Sequence, residues 1–200
     1  MNNIDRFYVP DAAEFARKYL DYLGAILSGI DSEEISNFIA SLLNARKIDA
    51  TIFFIGNGGS AATASHFAND LAIGTGQRKK PFRALSLTDN VPILTAIAND
   101  FGYEEIFLRQ LEILAKPGDI LVGISASGNS KNVLKAFDYA KSIGIKTIAI
   151  TSFDGGNMKN IADQNVYIPT ELKEYGPAED SHMILDHLVG AYLTRCLSDE

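Results

Sequence analysis

Cysteine is almost missing from this sequence. The single residue, Cys196, excludes a disulfide framework within one chain and suits a reducing compartment. Basic residues are also in short supply: 18 Lys and Arg stand against 25 Asp and Glu, for a net charge of −7. Nucleic-acid phosphates are held by clustered Lys and Arg, so no nucleic-acid partner is expected. The longest basic cluster, Arg78-Lys79-Lys80, reads as a solvated turn. No apolar run approaches the roughly 20 residues that span a bilayer, so no membrane role is expected. Met1 to Arg6 lacks the basic start and apolar stretch of a secretory signal, and a cytoplasmic location is the expectation.

What is present is ordinary globular material. Two hundred residues with 46% hydrophobic and 22% charged content suffice for one α/β unit with a real core. Residues 11–46 read as two helices. Phe15, Tyr19, Tyr22 and Leu23 recur near helical spacing, and Asp31 followed by Glu34 resembles a capping box opening the second helix. The rhythm then changes. Thr51-Ile52-Phe53-Phe54-Ile55 is a short unbroken apolar run ending at Gly56, which is how a strand covered on both faces looks. Further strands are expected at Ala84–Leu87, Ile120–Ile124, Thr147–Ile150 and Val166–Ile168. Helical segments fall at 60–73, 90–98, 103–115, 130–143 and 157–162, with a last helix from Pro177 to about Ser198. Strands alternating with helices predict a three-layer αβα sandwich around a five-stranded parallel sheet. The expected organisation is one domain over 1–200, with a helical N-terminal extension (1–48) and an α/β core (49–200) ending in a long helix.

Ligands of open parallel sheets bind beyond the carboxyl ends of the strands. Two loops occupy that position here. Gly56-Asn57-Gly58-Gly59-Ser60 follows the first strand, and Ser125-Ala126-Ser127-Gly128-Asn129-Ser130 follows the third. Glycines let backbone approach an anion, helix N-termini offer free N–H groups, and three serines add hydroxyl donors. Such loops can hold a phosphate without a cation of their own. Glycine and serine also make plain turns and caps. Two such loops, each after a buried-type strand, favour a ligand site. Gly56-x-Gly58-x-x-Ala61 formally matches a dinucleotide fingerprint, but the acidic residue it needs, Asp89, comes some ten residues late. Phosphosugar binding ranks above nicotinamide binding.

At these residues the sequence resembles a known family. Gly56-Asn57-Gly58-Gly59-Ser60-Ala61-Ala62 with His66-Phe67-Ala68 resembles the first signature of the sedoheptulose 7-phosphate isomerases. Leu87-Thr88-Asp89, Leu94 to Asp100, the 117–130 stretch and Glu179-Asp180-Ser181-His182 through His187 resemble later blocks of this branch of the sugar-isomerase (SIS) family. The resemblance implies that Ser125, Ser127 and Ser130 hold the sugar phosphate, within a loop that includes Ala126, helped by Thr88. It also implies that Asn57, Gly58, Gly59 and Ser60, with Asn99 and Asp100, line the sugar. It implies a homotetramer whose sites draw on more than one subunit, no nucleotide cofactor, and one zinc ion per subunit at His66, Asp70, Glu179 and His187. Two of those four depart from the family's pattern, since Asp70 stands where it has Glu and Glu179 where it has Gln.

Aldose–ketose isomerisation needs a base beside a carbonyl and an acid to move a proton between oxygens. His66 and Asp70 are four apart and share a helix face. Glu179 and His187 are adjacent rather than superposed on the last helix, while Glu179, His182 and Asp186 would form a tighter stripe. Spacing therefore leaves His182 and His187 open; the resemblance selects His187, with His182 structural or near an interface. The expectation is Asp70 or Glu179 as base and His187 as acid, through an enediol, with or without a metal. The alternative is a non-catalytic relative that binds a phosphosugar or a partner such as a replication initiator.

Overall fold

The computed structural model describes residues 4–77 and 79–198. Arg78 and Met1 to Asn3 lie outside the described residues, so the basic cluster and the amino-terminal reading are seen only in part. Lys80 sends its Nζ to the Lys47 carbonyl at 3.0 Å.

Two helices come first, α1 (Ala12–Ser28) and α2 (Ser32–Lys47). Asp31 caps α2 by accepting from the Glu33 N–H at 2.8 Å. The expected reciprocal capping box does not form. Glu34 instead accepts the Tyr167 N–H at 2.7 Å, tying α2 to the last strand, because that amide lies on an outer strand and has no ladder partner on that side.

The strands are β1 (Thr51–Gly56), β2 (Arg83–Ser86), β3 (Ile120–Ser125), β4 (Lys146–Thr151) and β5 (Gln164–Tyr167), all parallel, in the order β2-β1-β3-β4-β5. Alternation along β1 shows why the run is apolar throughout. Ile52 and Phe54 join one core with Phe38 and Leu42 of α2 and with Phe67. Phe53 and Ile55 join a second core with Leu111, Phe137 and Met158. Each face of the sheet is covered, so both sets of side chains lose their water.

The crossover helices are α3 (Gly59–Asn69), α4 (Val91–Phe101), α5 (Leu108–Leu114), α6 (Lys131–Ser142) and α7 (Gly156–Ile161), followed by α8 (Tyr175–Cys196). Two expected helices differ in detail. The 60–73 segment leaves α-helical winding at Asp70 and makes a π-helical turn over Asp70–Gly74, with Thr75 N–H bonded to the Asp70 carbonyl. The 103–115 segment breaks into a 3₁₀ turn at Tyr103–Glu105 and then α5. Strand order reverses between β1 and β3, the point where an α/β sheet opens a crevice at its carboxyl edge. The two loops singled out in the sequence follow those two strands. Among the described residues no helix is long and apolar enough to cross a membrane.

Candidate active site

The crevice holds a cavity of about 150 Å³ lined by Asn57, Ser60, Ser125, Ala126, Ser127, Ser130, Tyr175 and Glu179. Ser125 is the last residue of β3, and its hydroxyl lies 3.2 Å from that of Ser130. Ser130 occupies the capping position of α6 but makes no side-chain capping bond, which leaves its hydroxyl to the cavity. The loop between them is held rigidly. Gly128 has φ +60°, and a Cβ there would meet the Gly155 carbonyl oxygen at 1.9 Å. Ala126 accepts from Ser152 N–H, and Gly128 accepts from Met158 N–H at 2.9 Å. No other residue type fits at 128 without moving the 155–156 turn.

The two loops are tied to each other. Asn57 Nδ2 donates to Asn132 Oδ1 at 2.9 Å, and Asn132 Nδ2 returns a bond to Asn57 Oδ1 at 2.8 Å. Tyr103 Oη donates to the same Asn57 oxygen at 2.7 Å. Asn132 is a loop-bracing residue that the sequence reading missed; nothing about an Asn in a first helical turn marks it.

Helix α8 closes the cavity from one side. Glu179 packs so tightly on Gly59 that a Cβ at 59 would sit 2.2 Å from its Oε2. Burial first, then the Asp180 charge, hold the Glu179 carboxyl above the usual carboxylate range. Two turns further along the same α3–α8 seam, His66 and His187 face each other with Nε2 atoms 3.4 Å apart. The His66 Nε2 also lies 3.6 Å from Asp70 Oδ2. Seven residues separate Gly59 from His66, and eight separate Glu179 from His187. At about 1.5 Å per residue the backbone positions of the two stations are offset by roughly 10–12 Å along the helix axes.

The expected metal set is thus divided. His66, Asp70 and His187 converge, and Asp186 joins them, with one ligand atom from each lying within 4.8 Å of the others. Glu179 stands with the serine cavity instead, because its helix rises past the cluster by two turns. Asp186 is buried, and among the described residues neither of its carboxylate oxygens has a hydrogen-bond partner. Burial and then the Asp70 charge push its carboxyl up to about 7. The sequence offered a hint, since Asp186 adjoins His187 and shares a stripe with His182.

Other expected residues sit elsewhere. Thr88 does not line the cavity; its hydroxyl pairs with Ser86 at 2.6 Å and Ser65 at 2.9 Å. Asn99 and Asp100 bond to each other on α4 and do not reach the cavity of their own chain. His182 is fully buried, with Nε2 3.1 Å from Ser152 Oγ, and burial pushes its imidazole down to about 4. That is a structural histidine. Asp89 accepts from the Ser65 and Thr88 hydroxyls with its Oδ1. A larger cleft of about 560 Å³ opens at the amino edge of the sheet, but there Ser41, Lys146 and Gln164 already bond to one another.

Comparison with known proteins agrees with this fold. The SIS domain profile matches residues 18–152, a stretch that contains both loops. The chain belongs to the SIS domain family. Among its SIS relatives, a probable phosphoheptose isomerase of Thermoplasma acidophilum is 39% identical over 89% of this chain and 97% of that protein. A phosphoheptose isomerase of Helicobacter pylori is 38% identical over 86% and 90%. The structure of phosphoheptose isomerase GmhA from Neisseria gonorrhoeae superposes with a TM-score of 0.76 at 32% identity, over 91% of this chain and 95% of that one.

Proposed function

We propose that this SIS protein is a phosphosugar aldose–ketose isomerase that interconverts sedoheptulose 7-phosphate and its aldose isomer, D-glycero-D-manno-heptose 7-phosphate. The observation that carries the reading is the hydroxyl-lined cavity at the switch point, with Glu179 on its wall. Relatives named phosphoheptose isomerase, at 38–39% identity over most of both chains, support the same substrate class.

Serine hydroxyls at 125, 127 and 130 and the amino end of α6 anchor the phosphate dianion, a task suited to oriented neutral donors. Anchoring leaves the rest of the seven-carbon chain to run from the loop past Glu179 along the α3–α8 seam. In the forward direction a carboxylate removes a proton from C1 while the C2 oxygen gains one, giving the 1,2-enediol. Loss of the O1 proton and delivery of a proton to C2 then yield the aldehyde, with no net gain or loss of atoms. Glu179, whose carboxyl burial makes a better proton acceptor, is the base on the cavity wall. His187, further along the same seam, is the acid when no metal claims its ring, and the proton that Glu179 takes from C1 is the one returned to C2. In the expected homotetramer, Asn99 and Asp100 would line a neighbour's sugar rather than their own.

Two imidazoles and an acidic side chain suit zinc, and buried carboxylate oxygens without a donor fit a cation. His66, Asp70 and His187 would hold it, and when bound it would polarise a sugar carbonyl.

The test is to incubate the protein with a panel of sugar phosphates and follow ketose–aldose conversion. Turnover of sedoheptulose 7-phosphate above the others is expected. Binding without turnover of any member would instead mark a phosphosugar-sensing protein.

A further inference from the structure

We propose that Asp186, not Glu179, completes the cation site, so that this chain carries a two-histidine, two-aspartate centre and keeps Glu179 free for the substrate. The proposal rests on the isomerase reading for the role of Glu179, but its evidence is geometric. Zinc binds N and O ligands at about 2.0–2.2 Å, so ligand atoms of one ion lie only a few ångströms apart. One atom each from His66, Asp70, Asp186 and His187 already meets that requirement, all within 4.8 Å. Glu179 does not: it is pinned on Gly59, two helical turns away.

An independent observation points to a ligand at Asp186. The residue is 1% exposed, and both carboxylate oxygens lack any donor among the described residues. A buried acceptor pair left unbonded is costly, and buried polar groups in folded proteins are almost always satisfied. The missing partner must lie where Asp186 faces, among His66, Asp70 and His187. A divalent cation there answers both oxygens and is balanced by two carboxylates. Helix geometry explains how the site forms. Asp70 keeps the α-helical bond of its N–H to the His66 carbonyl, so the two side chains share one face, and the π-helical turn, a feature that recurs at functional sites, begins there. Asp186 and His187, being consecutive, then meet the α3 pair from α8. The shorter Asp70 leaves room that a second aspartate fills.

The experiment uses the full chain, stripped with chelator and titrated with zinc against a chromophoric competitor. Wild type is expected to bind one zinc per chain. Asp186→Asn should weaken zinc binding at least about 100-fold, since even outer-shell partners of a metal ligand are worth roughly 10–100-fold. Glu179→Gln should keep wild-type zinc affinity and lose isomerase turnover. Wild type that binds no zinc, Asp186→Asn with wild-type affinity, or Glu179→Gln that loses zinc would each overturn the assignment. The Glu179 arm decides the matter even where Asp186→Asn fails to fold. Failure of the isomerase reading looks different: no sugar phosphate turns over, while zinc still binds and still depends on Asp186.

Discussion

Asn57 and Asn132 exchange two amide hydrogen bonds, at 2.9 and 2.8 Å, across the gap between the loops that follow β1 and β3. Strands β1 and β3 are neighbours whose ladder ends at Gly56 and Ile124, and beyond that pair their loops lead to helices on opposite faces, where a side-chain link is needed to join them. The amide pair is that link. It fixes the width of the cavity in which Ser125, Ser130 and Glu179 must act together.

Breaking the pair should therefore loosen the site before it harms the sheet. Asn132→Leu leaves Asn57 Nδ2 without an acceptor, at a cost of about 1–3 kcal/mol. The expected outcome is a raised KM for the sugar phosphate with a smaller change in kcat. Steady-state kinetics beside a thermal melt will check it.

The serine loop makes a separate prediction. A hydrogen bond to a charged group contributes about 1.5–3 kcal/mol, so Ser127→Ala or Ser130→Ala should weaken phosphosugar binding roughly 10–100-fold. Inorganic phosphate, used as a competitor, should lose affinity in parallel. Loss of sugar binding with phosphate binding intact would place the phosphate elsewhere.

Gly128→Ala is expected to be worse than either serine change. A Cβ there would strike the Gly155 carbonyl oxygen at 1.9 Å, and the backbone already sits at φ +60°. Strain of that kind is of the order of 1–3 kcal/mol, and relief requires the loop to move. Melting temperature should fall and substrate binding should be lost together, as differential scanning calorimetry and isothermal titration can show.

His182 sets an acid limit on stability. Burial lowers its imidazole to about 4 from 6.5, so the unfolded chain binds more protons between those values. Stability contributed by the neutral ring is complete above pH 6.5 and is lost as pH falls through that window toward 4. The full effect is about 3 kcal/mol. Urea midpoints measured from pH 7 to pH 4 should show the loss, and His182→Met should flatten this part of the profile.

Local pattern was sufficient for much of the molecule. The five strands fell within one or two residues of expectation, and for the three inner ones the reason is that a strand buried on both faces must be largely apolar, as Ile52–Ile55 is. Register with neighbours adds nothing to that requirement. The capping box at Asp31 was misread for the opposite reason. Whether Glu34 turns back to its own helix or reaches Tyr167 N–H depends on an amide 133 positions away. Helical spacing alone could not separate His182 from His187, since both lie on faces of α8 that meet other elements.

By itself, then, the sequence determined the layers, the parallel sheet, and the two glycine- and serine-rich loops at its carboxyl edge, all of which follow from hydrophobic period and turn chemistry over a few neighbouring residues. Only the tertiary structure decided which acids share a site. The packing of α3 along α8 sends Glu179 to the serine cavity and gathers Asp186 with His66, Asp70 and His187. That division depends on how two distant helices are offset along their axes, and contacts between distant segments leave no periodic trace in either one.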